Sequence, residues 1–293
     1  MPTPPALFDA DLLARRRERA ARLGGADFLH EAVAAEVAER LKEVNRSFRA
    51  AAVVGPRASL WAALLAPAGI GVVRAVPDSE VLDLEEGAHD LVVHGLGLHW
   101  ANDAVGQLVQ ARRALRPDGL LIAALFGGET LHELRAALAE AEVATTGGLS
   151  PRIAPMGEIR DLGGLLQRAG LAMPVADGHR IEVSYGSGLA VMRDLRAMGE
   201  TNVMHDRERR PMRRTMLAAA LAGYGDRFGL EDGRVPATFE VIFLTGWAPA
   251  ADQPKPLRPG SAAARLADAL GTTERSAGEK APDAVGMAGG TER

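Results

Sequence analysis

AHDLVVHGLGLHWANDAVGQLVQARRALRPDGLLIAALFGG, residues 88–128, carries the architecture of this chain. It reads as strand, short loop, helix, turn, strand. The apolar run 91–93 follows Asp90 and ends at Gly95, Leu96 and Gly97. Lacking apolar–polar alternation, it suits a strand buried on both faces, as in a parallel sheet. From 102 to 115, Val105, Leu108, Val109 and Ala111 recur at helical spacing, which leaves Gln107, Arg112 and Arg113 for the solvent side. Arg116-Pro117-Asp118-Gly119 then stops the helix: proline cannot continue it, and Gly119 is expected to take the positive φ of the turn. Residues 120–126 are a second apolar run, so the segment predicts a right-handed βαβ unit.

Ligands of an open α/β sheet sit beyond the carboxyl ends of its strands. Here those ends are 95–100 and 126–128. Gly95 and Leu96 offer backbone for close approach, Trp100 a large flat face, and His99 a polar edge.

Composition narrows the function classes. The 293 residues are 47% hydrophobic, enough for one large core with tails. A net charge of −4 implies no broad positive field and argues against general nucleic-acid binding. No window approaches the ~18–20 continuous apolar residues of a membrane span. Cysteine is absent, which excludes disulfides, thiolate nucleophiles and cysteine-based metal sites. Asp9 and Asp11 beside the Arg15–Arg19 cluster fit neither a signal nor a transit peptide, so a cytoplasmic protein is expected.

The first helix starts at Asp9, an N-cap candidate, with Leu12 and Leu13 as anchors; its run of arginines reads as a solvated face. Gly24-Gly25 breaks it, and residues 28–44 form a second helix on Leu29, Val33, Val37 and Leu41. A strand at 48–54 then meets Gly55-Pro56-Arg57-Ala58-Ser59 and a helix from Leu60. A turn that cradles a cofactor needs alternate glycines so that backbone can approach the ligand. Only Gly55 is of that kind; Arg57 and Ser59 fill the other places. Residues 71–76 are a second strand, after which Asp78 is the candidate for holding ribose hydroxyls. The gap 79–89 is too short for the usual helix plus strand. Beyond the central unit come helices at 129–143 and 158–169, then a strand at 171–175, with 179–185 either its continuation or its hairpin partner. Helices at 189–198 and 211–224 precede a last strand at 236–247. The domain expectation is a helical lead (1–47), a core domain (48–250) with a helical insertion at 187–230, and a disordered tail from 251.

The central unit resembles the class I S-adenosylmethionine-dependent methyltransferases, with DLVV (90–93) ending one strand and LRPDG (115–119) opening the next. More narrowly, GLHWAND (97–103), FGGETLHELR (126–135), GGLSPRIAP (147–155), DLGGLLQRAG (161–170), VSYGS (183–187), DLRAMGETN (194–202), DGRVPATFEVIFLTGW (232–247) and RPGSA (258–262) resemble a family. It is the complex I assembly and arginine-hydroxylase family, related to malonyl-carrier-protein methyltransferases. The resemblance runs from about Phe8 to Ala262. It implies a Rossmann-like α/β fold, mostly parallel with the last strand antiparallel. It also implies S-adenosylmethionine as cofactor and, as partner, a respiratory complex I subunit presenting an arginine. Gly55, Asp78, Gly95, Leu96 and Trp100 stand where that cofactor is held. Against the family's first motif, the chain departs at Val53, Arg57 and Ser59.

Four residues are the catalytic candidates. His99 can deprotonate an acceptor at the strand mouth. Glu200 and Asn202 follow a helix end, where a carboxylate can grip a guanidinium. Tyr185 ends a strand and can stack on a substrate. No HExxH or comparable spacing points to a metal. Two functions remain: a cofactor-dependent enzyme acting on an arginine or a small or carrier-bound acid, and a non-catalytic binding protein of the same fold.

Overall fold

A computed structural model describes residues 6–254 and residue 271. The proposed tail therefore falls largely outside the described residues, as does the RPGSA segment. The described residues up to Ala251 make one unit.

The lead contributes α1 (Ala10–Arg22) and α2 (Phe28–Glu43). Asp9 caps α1 by accepting a hydrogen bond from the Leu12 amide at 2.9 Å, as its position in the sequence suggests. The sheet follows: β1 (Ala50–Val54), α3 (Ala58–Leu65), β2 (Val72–Val76), β3 (His89–Gly95), α4 (Ala104–Ala114) and β4 (Leu115–Phe126). Then come α5 (His132–Thr146), α6 (Ile159–Arg168), β5 (Ala172–Tyr185), α7 (Gly188–Met198), α8 (Arg214–Phe228) and β6 (Val235–Trp247). Strand order is β2-β1-β3-β4-β6-β5. The first four strands run parallel, and β6 is antiparallel to both its neighbours. This is the α/β, Rossmann-like arrangement of class I methyltransferases.

Parallel strands covered on both faces explain the unbroken apolar runs. Val53, Leu91, Val93, Leu120 and Ile122 face a core shared with α2, α3, α5, α7 and α8. Ala52, Val54, Val92, Leu121 and Ala123 face the core under α4 and α6. A third, smaller cluster joins the lead to the loops: Phe8, Leu13, Trp100, Ala154, Val203 and Met204.

As the short gap suggests, residues 77–88 hold neither helix nor strand, which leaves β2 at the sheet edge. Other local expectations are corrected. The expected turn at 116–119 lies within β4, at an irregularity in its pairing with β3, and there Asp118, not Gly119, takes the positive φ, at 63°. Gln107 is buried rather than solvent-facing. It accepts from His94 Nε2 at 2.8 Å and donates to the Ser79 carbonyl at 3.1 Å, pinning the segment that replaces the missing elements. The segments 171–175 and 179–185 are one long strand, paired along β6.

Candidate functional site

Two regions flank each other at the carboxyl ends of β1, β2, β3 and β4. One is the crevice between the turn after β1 and the turn after β3. The other is a cavity walled by the lead, α5, α7 and the loops 147–158 and 199–213.

The crevice is closed by side chains. Arg17 reaches from α1 and its Nη1 donates to both carboxylate oxygens of Asp78, at 2.9 and 3.0 Å; the two side chains are 17% and 9% exposed. A second pair points the other way: Arg57, in the turn after β1, bonds Asp27 at the start of α2. Gly25, at φ 65°, lets the chain pass beneath Arg57; a Cβ there would lie 3.0 Å from Arg57 Nη2. The loops themselves touch. A Cβ on Gly97 would stand 2.5 Å from Asp78 Oδ2 and 3.1 Å from Pro56 Cδ. A Cβ on Gly95 would stand 2.6 Å from Cε2 of Trp61, so that glycine accommodates the indole of α3. Trp61 is fully buried and donates from Nε1 to His30 Nδ1 at 2.9 Å. Burial pushes the His30 imidazole down to about 4.

Where crevice and cavity meet stands Glu200. Its Oε2 accepts from Trp100 Nε1 at 2.6 Å and from His99 Nε2 at 3.1 Å. Burial alone would raise its pKa. His99, Arg17 and Trp100 outweigh that and hold the carboxyl below the usual range. Arg17 is thus set between two carboxylates, with Nε and Nη2 buried and without hydrogen-bond partners. The His99 ring leans on Phe126, centroids 4.9 Å apart, and Trp100 meets Phe8 edge-on at 5.1 Å.

The cavity measures about 770 Å³. Leu131, Leu134, Leu138, Phe126, Phe239 and Met156 form an apolar bed. Its volume lies within the range typical of ligand pockets. The loops around it are tied together. Asn202 Nδ2 donates to the Pro151 carbonyl at 2.7 Å, and Asn202 Oδ1 accepts from the Met204 amide at 2.9 Å. Arg16 donates from Nη1 to Thr201 Oγ1 at 2.8 Å and to the Asn202 carbonyl at 2.6 Å.

The structure brings Trp100, Glu200 and Asn202 to the cavity. His99 stands behind them, 3% exposed, and does not line it. Tyr185 is elsewhere, packed with the α7 and α8 core; burial raises its pKa, with the nearby Asp194 charge adding to the effect. Gly55, Asp78, Gly95 and Leu96 ring the crevice, where Leu96 is buried with φ 49° and its amide bonds the Ala124 carbonyl. Arg16 and Arg17 were expected on a solvated face and are turned inward instead. They lie three and four residues past buried Leu13, on the inward face of α1, a spacing that could have flagged them. Among the described residues no group of side chains could hold a metal ion.

Fold and strand-end loops define a methyltransferase-like α/β protein. No protein-family model matches the sequence. Among curated proteins, the chain is 38% identical to the mitochondrial arginine-hydroxylase NDUFAF5 of Danio rerio, over 89% of each chain. It is 37% identical to that of Homo sapiens, over 87% of this chain and 81% of the relative. The chain belongs to the arginine-hydroxylase NDUFAF5 family. It is also 41% identical to the malonyl-[acyl-carrier protein] O-methyltransferase of Laribacter hongkongensis, over 59% of this chain and 56% of that one. Among solved structures, the 1,6-didemethyltoxoflavin-N1-methyltransferase of Burkholderia thailandensis aligns at a TM-score of 0.45 and 15% identity, over 85% of this chain and 94% of that one.

Relationship to methyltransferases implies S-adenosylmethionine. The residues at the crevice do not fit it. Asp78, the residue expected to hold the ribose, is engaged by Arg17, and the space beside Gly97 is filled by Pro56 and Asp78. The position of a second cradle glycine carries Arg57, whose guanidinium is held by Asp27.

Proposed function

We propose that this chain serves the assembly of respiratory complex I by binding a protein partner at the cavity, without S-adenosylmethionine. The observation that supports this reading is the Arg17–Asp78 pair, which puts a guanidinium where a cofactor's ribose would be held. The cavity beside it keeps an apolar bed and loops braced by Asn202 and Arg16. A binding site can persist when the cofactor's place is lost, because the two are built from different segments. The place of action proposed is the cytoplasm; the relatives named above are mitochondrial. No helix of the described residues is long and apolar enough to cross a membrane.

A second reading is modification of an arginine on a complex I subunit, favoured by the Glu200 carboxylate at the cavity wall. One pair of measurements separates the readings. Calorimetric titration with S-adenosylmethionine and S-adenosylhomocysteine is expected to be silent up to millimolar concentration. Deletion of the gene is expected to lower assembled complex I, restored by the wild-type chain. Micromolar cofactor binding would overturn the cofactor-free reading, and unchanged complex I would overturn the assembly role.

A further inference from the structure

The lining of the cavity carries an excess of basic side chains. Six arginines line it and only two glutamates. Two of the arginines are compensated: Arg152 is clamped by Glu142, at 2.6 and 3.0 Å, and Arg207 lies 3.7 Å from Asp9. Arg16 bonds only neutral oxygens, and burial lowers its pKa, helped by the charge of Arg207. Arg19 on α1, Arg196 at the end of α7 and Arg209 on the following loop are exposed and have no carboxylate partner among the described residues. Both glutamates are already engaged. Glu200 accepts from Trp100 and His99 and faces Arg17, while Glu208 accepts from the Arg210 amide of its own loop. Among the described residues, the uncompensated positive charge therefore lies at the rim.

We propose that the cavity receives an acidic protein segment carrying an apolar anchor, the anchor seated on the Leu131–Leu134–Phe126 bed and the carboxylates paired with Arg19, Arg196 and Arg209. This deepens the partner-binding reading above and rests on it. Charge complementarity selects the occupant. Guanidinium–carboxylate pairs are directional and often bidentate, so arginines drawn from three separate elements favour acidic groups spread along a chain over one compact anionic head. Met156, Met192 and Met212 on the walls give an adaptable apolar surface, suited to a side-chain anchor rather than one rigid ligand.

The test uses the full chain and three fluorescein-labelled peptides of equal length. Each has a Leu-Phe centre, flanked by Asp/Glu, by Ser or by Arg. Anisotropy titration is expected to rank acidic over neutral over arginine-flanked, with at least about tenfold between the extremes and a loss of affinity as salt rises. The variant R19E/R196E/R209E changes exposed side chains only and is expected to invert the ranking, with its circular dichroism unchanged. Stronger binding of the arginine peptide, no binding by any peptide, or a ranking indifferent to the triple reversal would each overturn the proposal. Dodecanoate that binds more tightly than the acidic peptide and displaces it would reassign the cavity to a small amphipathic anion, and so overturn it too. Peptide binding in vitro makes no reference to complex I. Ranked binding with normal complex I in the deletion strain would therefore sink the assembly role and leave this inference standing.

Discussion

The crevice and the cavity are neighbours, and both are rich in arginine, yet they use it in opposite ways. In the crevice Arg17 and Arg57 are each matched to an aspartate on the facing element, and the pairs hold the lead against the sheet loops. At the cavity rim Arg19, Arg196 and Arg209 are exposed and have no carboxylate partner among the described residues. A buried charge must be compensated within the fold, whereas an exposed one can wait for a partner. The contrast separates a region that has become part of the structure from one proposed to bind a partner.

Substitutions can break that contrast. The largest effect is expected at the junction. Glu200→Leu leaves Arg17 facing one carboxylate fewer and Trp100 without its acceptor, and should cost about 3–5 kcal/mol in denaturant unfolding. Glu200→Gln, which keeps an acceptor for Trp100, should cost less.

Acid should weaken the same region. His30 is held neutral in the fold at about 4, against an ordinary value near 6.5, so the unfolded chain binds the extra proton between those values. Stability is complete above about pH 6.5 and falls as pH drops toward 4, by on the order of 3 kcal/mol from this group. Buried His94 and His89, also shifted down by burial, act in the same sense. Urea midpoints across this range should show the slope. His30→Gln, whose amide oxygen can still accept from Trp61, should flatten it.

Arg17→Ala is expected to cost roughly 2–3 kcal/mol, below a fully buried pair because Arg17 is partly exposed. Adding Asp78→Asn should recover part of the loss. The single variant should still fail to bind S-adenosylmethionine, since Pro56 continues to fill the space beside Gly97. Binding restored by this change alone would make the clasp a removable lid. Gln107→Leu should cost about 1–2 kcal/mol by leaving buried His94 without its acceptor. Smallest of all, Arg209→Ala should shift the thermal midpoint by an amount equivalent to less than about 0.5 kcal/mol, as an exposed residue with no ion pair among the described residues should.

Much of the scaffold was legible. Apolar runs without alternation announced β3 and β4, and Asp9 announced the start of α1. The missing elements after β2 were visible as a gap too short to hold them. The site was legible only in part. Glu200 and Trp100 were singled out separately, yet nothing in the sequence told that one accepts the other's indole N–H across 100 positions. Gly95 looked like a place for ligand; its neighbour is the Trp61 ring, on a helix whose packing angle no local pattern fixes. In the irregular first part of β4, glycine was the obvious carrier of positive φ, but the local register gave that conformation to Asp118, a residue type that tolerates it.

The sequence by itself determined the α/β architecture and the damage to the glycine turn after β1, because periodicity and residue size are local properties; the antiparallel last strand came with the family resemblance. Only the tertiary structure decided what that damage means. Arg17 and Asp78 are 61 positions apart, and their pairing depends on how the lead helix lies across the sheet. The same holds for the cavity. Its excess of positive charge appears only when the chain has folded, because which arginines find a carboxylate is settled by long-range packing and leaves no trace in composition.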